Sequence, residues 1–235
     1  MSDLIAIVGN SGEGKSTSVH GIQELDIQGL NPEETFIINV GGKPLPVRGW
    51  KKLYTPFKGT SGNYLVDSSS ATIIKAMHFV NKNRPEIKNI VIDDFQFLVG
   101  FEYMQKALEK GFDKFSQMAK HLFDVTETAR TLRDDMKVFV LSHSEETQKD
   151  FETVRKMKTF GKMFDQNITL EGLFTVVLYC HTEWDDKEKK GLYSFITNKT
   201  SDYPAKSPVG MFKDIQIPND LGYVAAMIDK YNNGD

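Results

Sequence analysis

The sequence has little of several features that would narrow its class at once. Its single cysteine, Cys180, allows no disulfide within the chain, and no Cys/His cluster has metal-ligand spacing. No apolar run approaches the ~18 residues of a membrane span, and the chain opens on a strand-like run rather than a secretory leader. The formal charge is only −3, so any nucleic-acid surface must come from local patches. We therefore expect a cytoplasmic globular protein without membrane contact.

Acidic residues are absent between Glu34 and Asp67, where basic and aromatic side chains alternate. The basic ones are Lys43, Arg48, Lys51, Lys52 and Lys58, and the aromatic ones are Trp50, Tyr54, Phe57 and Tyr64. Two interpretations stay open. The stretch either grips phosphates and stacks bases, or it is a long surface loop held down by its aromatic side chains.

Near the amino terminus, an apolar run is followed by a glycine-rich turn. Residues 4–8 have the β-branched content of a buried parallel strand, and residues 9–16 match the phosphate loop G-x-x-x-x-G-K-[ST], or Walker A motif. The residues expected to bind ATP are Gly9, Asn10, Ser11, Gly12, Glu13, Gly14, Lys15, Ser16 and Thr17. Lys15 would reach the β- and γ-phosphates, and the Ser16 hydroxyl would hold Mg²⁺. A helix is predicted over residues 15–25, with its first N–H groups facing the phosphates.

Two further strands are predicted to end in polar side chains. The apolar run at 89–92 is followed by Asp93 and Asp94, a Walker B pattern in which Asp93 positions Mg²⁺. Asp94 either orients the attacking water and takes its proton, or is a spare strand-end carboxylate. Residues 137–143 form a strand ending in His143, which either senses the γ-phosphate or is an ordinary strand-end residue.

The rest of the pattern predicts a single α/β domain spanning residues 1–235. A helix begins at Ser68–Ser70, a strand covers 35–40, and Gly111 divides a long helical region whose Met- and Phe-rich stripe we interpret as core. That stripe comprises Phe101, Met104, Leu108, Phe112, Phe115, Met118, Leu122, Val125, Ala129 and Leu132. Residues 144–160 mix both charges without a clear period and are predicted to be a mobile loop. Strands at 174–180 and 192–197 form an antiparallel hairpin, Cys180 is a core residue, and a last helix follows Pro218-Asn219-Asp220.

Several of these stretches together resemble one family. The chain is similar to the RecA-like phosphate-loop ATPases of bacteriophages in the stretches GNSGEGKS, GGKPLPVRGWKKLYTP, IVIDD, VFVLSHSE, FGKMFDQNITLEGLFTVVLY and YSFITNKT…AKSP. These short proteins are also described as AAA-family ATP-binding proteins, and some are implicated in single-strand annealing and recombination. The resemblance covers roughly residues 4–212.

The resemblance implies a mostly parallel sheet with helices on both faces and ATP at its carboxyl edge. It implies that His143 is the γ-phosphate sensor, that the loop at 144–160 binds DNA, and that a second DNA loop lies near residues 99–112. Lys199 and Lys206 fall where the family places lysines that reach the ATP of a neighbouring subunit. Such lysines would stabilise the transferring phosphoryl group as an arginine finger does.

Two departures from RecA leave questions open. RecA carries its catalytic glutamate just past the second strand, whereas here that strand runs into Gly41-Gly42, so the base is Asp94 or Glu145, or is lacking in a slow ATPase. We also expect no separate amino-terminal polymerisation segment of the RecA kind, which leaves a filament, a ring and a weak self-association open.

The leading hypothesis is a Mg²⁺-dependent ATPase, oligomeric and acting on single-stranded DNA in phage replication or recombination, in the bacterial cytoplasm. A single-strand-binding protein is a further candidate partner. One alternative is a nucleotide-switched loader or packaging accessory with little turnover. The other is a small-molecule kinase, which the lack of an Arg-rich lid disfavours.

Overall fold

The computed structural model describes residues 1–149, 152–159 and 169–234. The strands among them are β1 (Asp3–Gly9), β2 (Thr35–Asn39), β3 (Tyr64–Val66), β4 (Asn89–Asp93), β5 (Lys137–Lys149), β6 (Glu152–Met157), β7 (Val176–Asp185), β8 (Lys190–Ile196) and β9 (Gln216–Pro218). The α-helices are α1 (Trp50–Leu53), α2 (Ser70–Asn83), α3 (Phe97–Gln105), α4 (Asp113–Arg130) and α5 (Leu221–Asn233).

The strands form one mixed sheet in the order β3-β2-β4-β5-β1-β7-β8-β9, with β6 paired to β5. Strands β3 to β7 along this order run parallel, and β8 and β9 add antiparallel pairs at one side. The predicted α/β class, the mostly parallel sheet and the carboxyl-terminal hairpin are therefore confirmed.

Strand β1 shows how the core is divided between the two faces of the sheet. Its alternate residues Leu4, Ala6 and Val8 pack with α2, α3 and α4, while Ile5 and Ile7 pack with α5 on the opposite face. Because the side chains of residues 4–8 are all covered on one face or the other, this part of the strand is a continuous apolar run. None of the described helices combines the length and apolar character needed to cross a bilayer.

The helix predicted for residues 15–25 is wrong. The chain there makes two short 3₁₀ turns, Thr17–Val19 and Gln23–Leu25. Gly21 and the β-branched residues around it favour a helix poorly, and Ile22 instead pairs with Ile27 in an antiparallel bridge. No long helix therefore presents a dipole to the phosphate loop within this described segment.

The apolar stripe of the long helical region is core in its second half only. The region breaks at Gly111, as predicted, and Met118, Leu122 and Val125 of α4 are buried. In the first half, Leu108 is 99% exposed and Phe112 81% exposed, with Phe101 and Met104 also open to solvent. Helical spacing alone does not show whether the sheet extends far enough to cover a helix.

Residues 144–149 and 152–157 form a β-hairpin rather than the predicted loop. Strand β5 continues past His143 and pairs with β6 in the register Ser144↔Met157 to Lys149↔Glu152. The mixed charges that obscured the pattern are cross-strand ion pairs, Glu145 with Lys156 and Glu146 with Arg155, each at 2.8 Å. Residues 150 and 151 of that predicted loop, and all of FGKMFDQNI at 160–168, lie outside the described residues.

The aromatic side chains of the acid-free stretch hold it to the domain. Tyr54 and Tyr64 are buried, and Trp50 packs on Tyr64 with ring centroids 5.3 Å apart. The buried rings of Tyr54 and Tyr64 are not available to stack bases, which favours the interpretation as a surface loop pinned by its aromatic side chains.

Asp220 links α5 to Gln28 and Gly29, in the segment between the phosphate loop and β2. Its carboxylate caps the helix by accepting from the N–H groups of Gly222 and Tyr223, and it also accepts from Gln28 (2.8 Å) and Gly29 (3.0 Å). We expect Asp220→Ala to lower the free energy of unfolding by roughly 2–4 kcal/mol, because the cap and two further acceptors are lost together. Urea unfolding measures this change.

Ser69→Ala is the matched control. Ser69 caps α2 through one long hydrogen bond to Thr72 N–H at 3.4 Å, so the expected loss is below about 1 kcal/mol. Equal losses in the two variants would show that Asp220 acts only as an ordinary helix cap.

Candidate functional site

The parallel register brings the predicted site residues to one edge of the sheet. Gly9 at the end of β1 pairs with His143 in β5, and Ile92, next to Asp93, pairs with Val140. A cleft of about 330 Å³ opens there. The predicted residues that line it are Ser11, Gly12, Gly14, Lys15, Ser16, Thr17, Asp94 and His143.

The phosphate loop turns through two glycines in the left-handed region. Gly12 has φ +84° and Gly14 has φ +85°, values that residues with a Cβ rarely adopt. Inside the turn, the buried Lys15 ammonium donates to the carbonyl oxygens of Gly9 (2.8 Å) and Asn10 (2.7 Å). Burial lowers the pKa of Lys15, opposed by nearby acidic groups. The ammonium is thus desolvated, which strengthens its attraction for an anion entering the loop.

Glu13 closes the loop on its other side. Its carboxylate accepts from the backbone N–H of Asn10 at 2.6 Å and from the Asn10 side chain at 3.3 Å. The Asn10 side-chain oxygen in turn accepts from the Ser144 hydroxyl at 2.9 Å. The loop is therefore linked to the base of the β5–β6 hairpin.

Asp93 and Ser16, the two residues predicted to hold Mg²⁺, lie in contact. The Ser16 hydroxyl donates to Asp93 Oδ1 at 3.1 Å, and the Asp94 N–H donates to the same oxygen at 2.9 Å. Burial, reinforced by the charge of Asp94, raises the pKa of Asp93 to about 6. Hydroxyl and carboxylate oxygens are ligands that Mg²⁺ prefers. Because burial and the charge of Asp94 disfavour the ionised form of Asp93, a cation beside this carboxylate would stabilise it.

Asp94 is held in an unusual backbone conformation, with φ +59°. Its carboxylate pairs with Lys43 Nζ at 2.7 Å and lies 3.8 Å from Nε2 of His143. Gly41, at the end of β2, leaves the space for it, because a Cβ there would clash with Asp94 Oδ2. The Asp94 carboxylate thus lies just beyond the end of β2, a strand that is not itself followed by an acidic residue. Left-handed non-glycine residues of this kind cluster at functional sites.

His143 stands between Asp94 and the loop as a neutral group. Burial lowers its pKa, and the charge of Lys15 lowers it further, while Asp94 acts in the opposite direction. Its backbone N–H donates to Gln96 Oε1 at 3.3 Å. The buried Gln96 Nε2 has no partner among the described residues, so a second polar group is available beside His143.

Three predicted residues lie away from this cleft. Lys199 and Lys206 are not among the described residues that line it, and Lys206 pairs through its backbone with Val177 of β7. Glu145, the alternative base, lies in the hairpin and pairs with Lys156. Cys180 is fully buried beside Gly9, and burial raises its pKa to about 12, so it is the core residue predicted.

Six residues that line the cleft were not identified from the sequence as part of the site: Leu25, Ile27, Lys43, Pro46, Tyr193 and Asn219. Gln96, which accepts from the His143 N–H beside the cleft, was not identified either. Lys43 lies four residues after the end of β2 at Asn39, and its position in the loop after a strand was the available signal. Gln96 follows the Asp93-Asp94 pair by two residues. Tyr193 and Asn219 reach the loop only through β8 and β9, and nothing local in the sequence indicates that approach.

A larger cleft, about 450 Å³, lies at the opposite edge of the sheet beside Asn89 and α5. Its lysines are already paired, Lys88 with Asp135 and Lys137 with Asp229. Among the described residues it brings together neither a glycine-rich loop nor an unpaired cation, so the smaller cleft is the better candidate.

The raised pKa of Asp93 has a measurable consequence. Its folded pKa, about 6, exceeds the unfolded value of 3.8, so this group lowers the free energy of unfolding as pH rises from 4 to 6. Asp93→Asn lacks this effect. We therefore expect its free energy of unfolding, relative to that of the wild type, to increase by up to roughly 3 kcal/mol across that interval. Urea unfolding at pH 4, 5, 6 and 7, without nucleotide or Mg²⁺, measures the difference.

The difference between the two proteins is the quantity to follow, because His20 titrates in the same interval. Burial lowers the pKa of His20 to about 4, which makes the fold more stable as pH rises. That contribution is common to both proteins and cancels. A difference independent of pH would contradict the assignment of Asp93.

No protein-family model matches this chain, and no curated protein is significantly similar to it.

Proposed function

We propose that this protein is a Mg²⁺-dependent ATPase of the RecA-like phosphate-loop class, acting on single-stranded DNA in phage replication or recombination, in the bacterial cytoplasm. One observation carries the proposal. The Ser16 hydroxyl lies 3.1 Å from Asp93, and Asp94 lies 3.8 Å from His143 at the same edge of the sheet. Walker A and Walker B residues, distant in sequence, thus meet as nucleotide hydrolysis requires.

The loop supplies the binding energy for a triphosphate. Lys15 exchanges the carbonyl oxygens of Gly9 and Asn10 for phosphate oxygens, and the Asn10 N–H becomes available when Glu13 withdraws. Ser16 and Asp93 would hold Mg²⁺, which when bound neutralises charge on the β- and γ-phosphates. Since the pKa of Asp93 is raised by burial and by Asp94, a cation there also stabilises its ionised form.

Hydrolysis is assigned to Asp94. Its carboxylate orients the attacking water and accepts its proton, while Lys43 at 2.7 Å fixes the direction of the carboxylate. The neutral imidazole of His143 lies beside it and would donate a hydrogen bond to the γ-phosphate.

The coupling to DNA is assigned to the hairpin that extends β5. His143 and Ser144 are consecutive residues, and Ser144 contacts the phosphate loop through Asn10 at 2.9 Å. A ligand held by the hairpin can therefore shift the loop, and the loop can shift the hairpin. The exposed side chains around the α3–α4 turn, including Phe101 and Phe112, offer a second contact surface near residues 99–112.

Oligomerisation would complete the site. Lys199 and Lys206 lie away from the cleft of their own chain, so their proposed role is at the ATP of a neighbouring subunit. A lysine supplied in this way stabilises charge on the transferring phosphoryl group, and it makes turnover depend on protein concentration.

We expect Asp94→Asn to lower the ATPase rate about 10²–10⁴-fold, because the proton acceptor is lost, while the Kd for Mg²⁺·ATP changes little. Steady-state ATPase assays and calorimetric titration measure the two quantities.

Two variants make this result specific. Glu145→Gln removes the alternative candidate for the catalytic base. We expect this variant to keep the wild-type ATPase rate, because Glu145 pairs with Lys156 outside the cleft. Lys15→Ala loses ATP binding together with turnover. Loss of activity in Glu145→Gln with normal activity in Asp94→Asn would assign the base to Glu145.

Single-stranded DNA and protein concentration should both raise the turnover. In the DNA-stimulated assay, we expect Lys206→Ala to lower the rate at least tenfold with ATP affinity nearly intact, because its role lies in the neighbouring site. Lys213→Ala, an exposed lysine of the same segment, is the control and retains the wild-type rate.

The outcomes separate the alternatives. Full activity in Lys206→Ala would remove its assigned role. Tight ATP binding with negligible turnover at every DNA and protein concentration would favour a nucleotide-switched loader. A phosphorylated product in a nucleoside panel would favour a kinase.

A further inference from the structure

Asn219 is a buried polar side chain whose hydrogen-bonding groups are unused. The residue is 3% exposed, and neither Oδ1 nor Nδ2 has a partner among the described residues. Folded proteins leave few buried polar atoms unpaired, because such atoms have lost their water without replacement. The side chain also lines the cleft that contains the phosphate loop.

The fold holds this side chain rigidly against the loop. Strand β9 pairs with β8 through Ser194↔Pro218, and Asp220, the next residue, is fixed by four backbone N–H groups. A Cβ placed on Gly14 would lie 2.9 Å from Asn219 Oδ1 and 3.1 Å from Cδ1 of Tyr193. The amide and the aromatic ring therefore flank the phosphate loop at Gly14.

The order of the strands gives the cleft a direction. Along β4-β5-β1-β7-β8-β9, the acidic pair Asp93–Asp94 and His143 lie on one side of the loop that follows β1. Tyr193 and Asn219 lie on the opposite side. Hydrolysis requires the γ-phosphate to be next to Asp94, so the nucleoside at the other end of the ligand points toward β8 and β9.

We propose that Asn219 and Tyr193 form a nucleoside subsite that reads the amino edge of adenine. The Asn219 side chain offers one acceptor and one donor side by side, which match the 6-amino group and the adjacent ring nitrogen of adenine. The Tyr193 ring, 40% exposed, supplies a surface for the base to pack on. The inference rests on the proposed nucleotide binding and goes beyond it by naming the base and its contacts.

The second buried asparagine with an unpaired atom provides a contrast. Asn89 Oδ1 also has no partner within the described ranges, but it lies in the larger cleft at the opposite edge of the sheet. Asn89 therefore serves as the matched control for a buried asparagine remote from the loop.

The test titrates three ligands with Mg²⁺ into the Asp94→Asn protein, in which hydrolysis is blocked. They are ATP, purine riboside triphosphate, which lacks the 6-amino group, and inorganic tripolyphosphate, which lacks the nucleoside. We expect ATP to bind at least tenfold more tightly than purine riboside triphosphate. Adding Asn219→Leu should lower ATP affinity at least tenfold, abolish the preference for the 6-amino group and leave tripolyphosphate affinity within twofold.

Thermal stability distinguishes a binding role from a structural one. Asn219→Leu removes two unpaired polar atoms from the interior, so the melting temperature of the ligand-free protein should not fall. Asn89→Leu should leave the affinities for all three ligands unchanged. If Asn219→Leu does not fold, Tyr193→Leu decides, and it should weaken ATP several-fold without affecting tripolyphosphate.

Two failures remain distinguishable. If Asn219→Leu, or Tyr193→Leu in its place, binds ATP as tightly as its parent, the nucleoside subsite is wrong although nucleotide binding stands. If the parent binds neither ATP nor tripolyphosphate, the proposed ATPase function falls and the subsite with it.

Discussion

Parallel pairing of β1, β5 and β4 in one register is the constraint on which the site depends. Because Gly9 pairs with His143, and Ile92 with Val140, the carboxyl ends of β1 and β4 both lie beside residues 140–143 of β5. The loop after β1, the carboxylates after β4 and the histidine of β5 therefore share a small space. A slip of one residue between β4 and β5 would turn their alternating side chains to the opposite faces and separate Asp93 from Ser16.

Charge is balanced in this space by groups that a ligand can replace. Lys15 is satisfied by two carbonyl oxygens, the Asn10 N–H by Glu13, and Asp94 by Lys43. Asp93 is the exception, since its pKa is raised to about 6 by burial and by Asp94. A magnesium nucleotide would supply both the anion that Lys15 attracts and the cation that Asp93 lacks, which makes the arrangement chemically coherent.

The two surfaces beyond the sheet edge show how sequence patterns mislead. Residues 144–157 mix charges because oppositely charged side chains face each other across a hairpin, Glu145 with Lys156 and Glu146 with Arg155. The stripe at Phe101 and Leu108 has helical spacing, yet these side chains are exposed. In both cases the pattern records the local periodicity correctly, and the partner across the strand or beyond the helix decides burial.

The sequence by itself determined the glycine-rich turn after β1, the acidic strand end, the α/β class and the helix that Ser69 caps, because these depend on local residue types and on periodic burial. It could not determine the short 3₁₀ turns after Ser16, since the Ile22–Ile27 bridge and the Asp220 contacts with Gln28 and Gly29 compete there with a helix. Only the tertiary structure placed the Asp94 carboxylate in the space left by Gly41, and Asn219 with Tyr193 beside Gly14. Those contacts join residues far apart in the chain, and their distances follow from strand order and register, which no local pattern records.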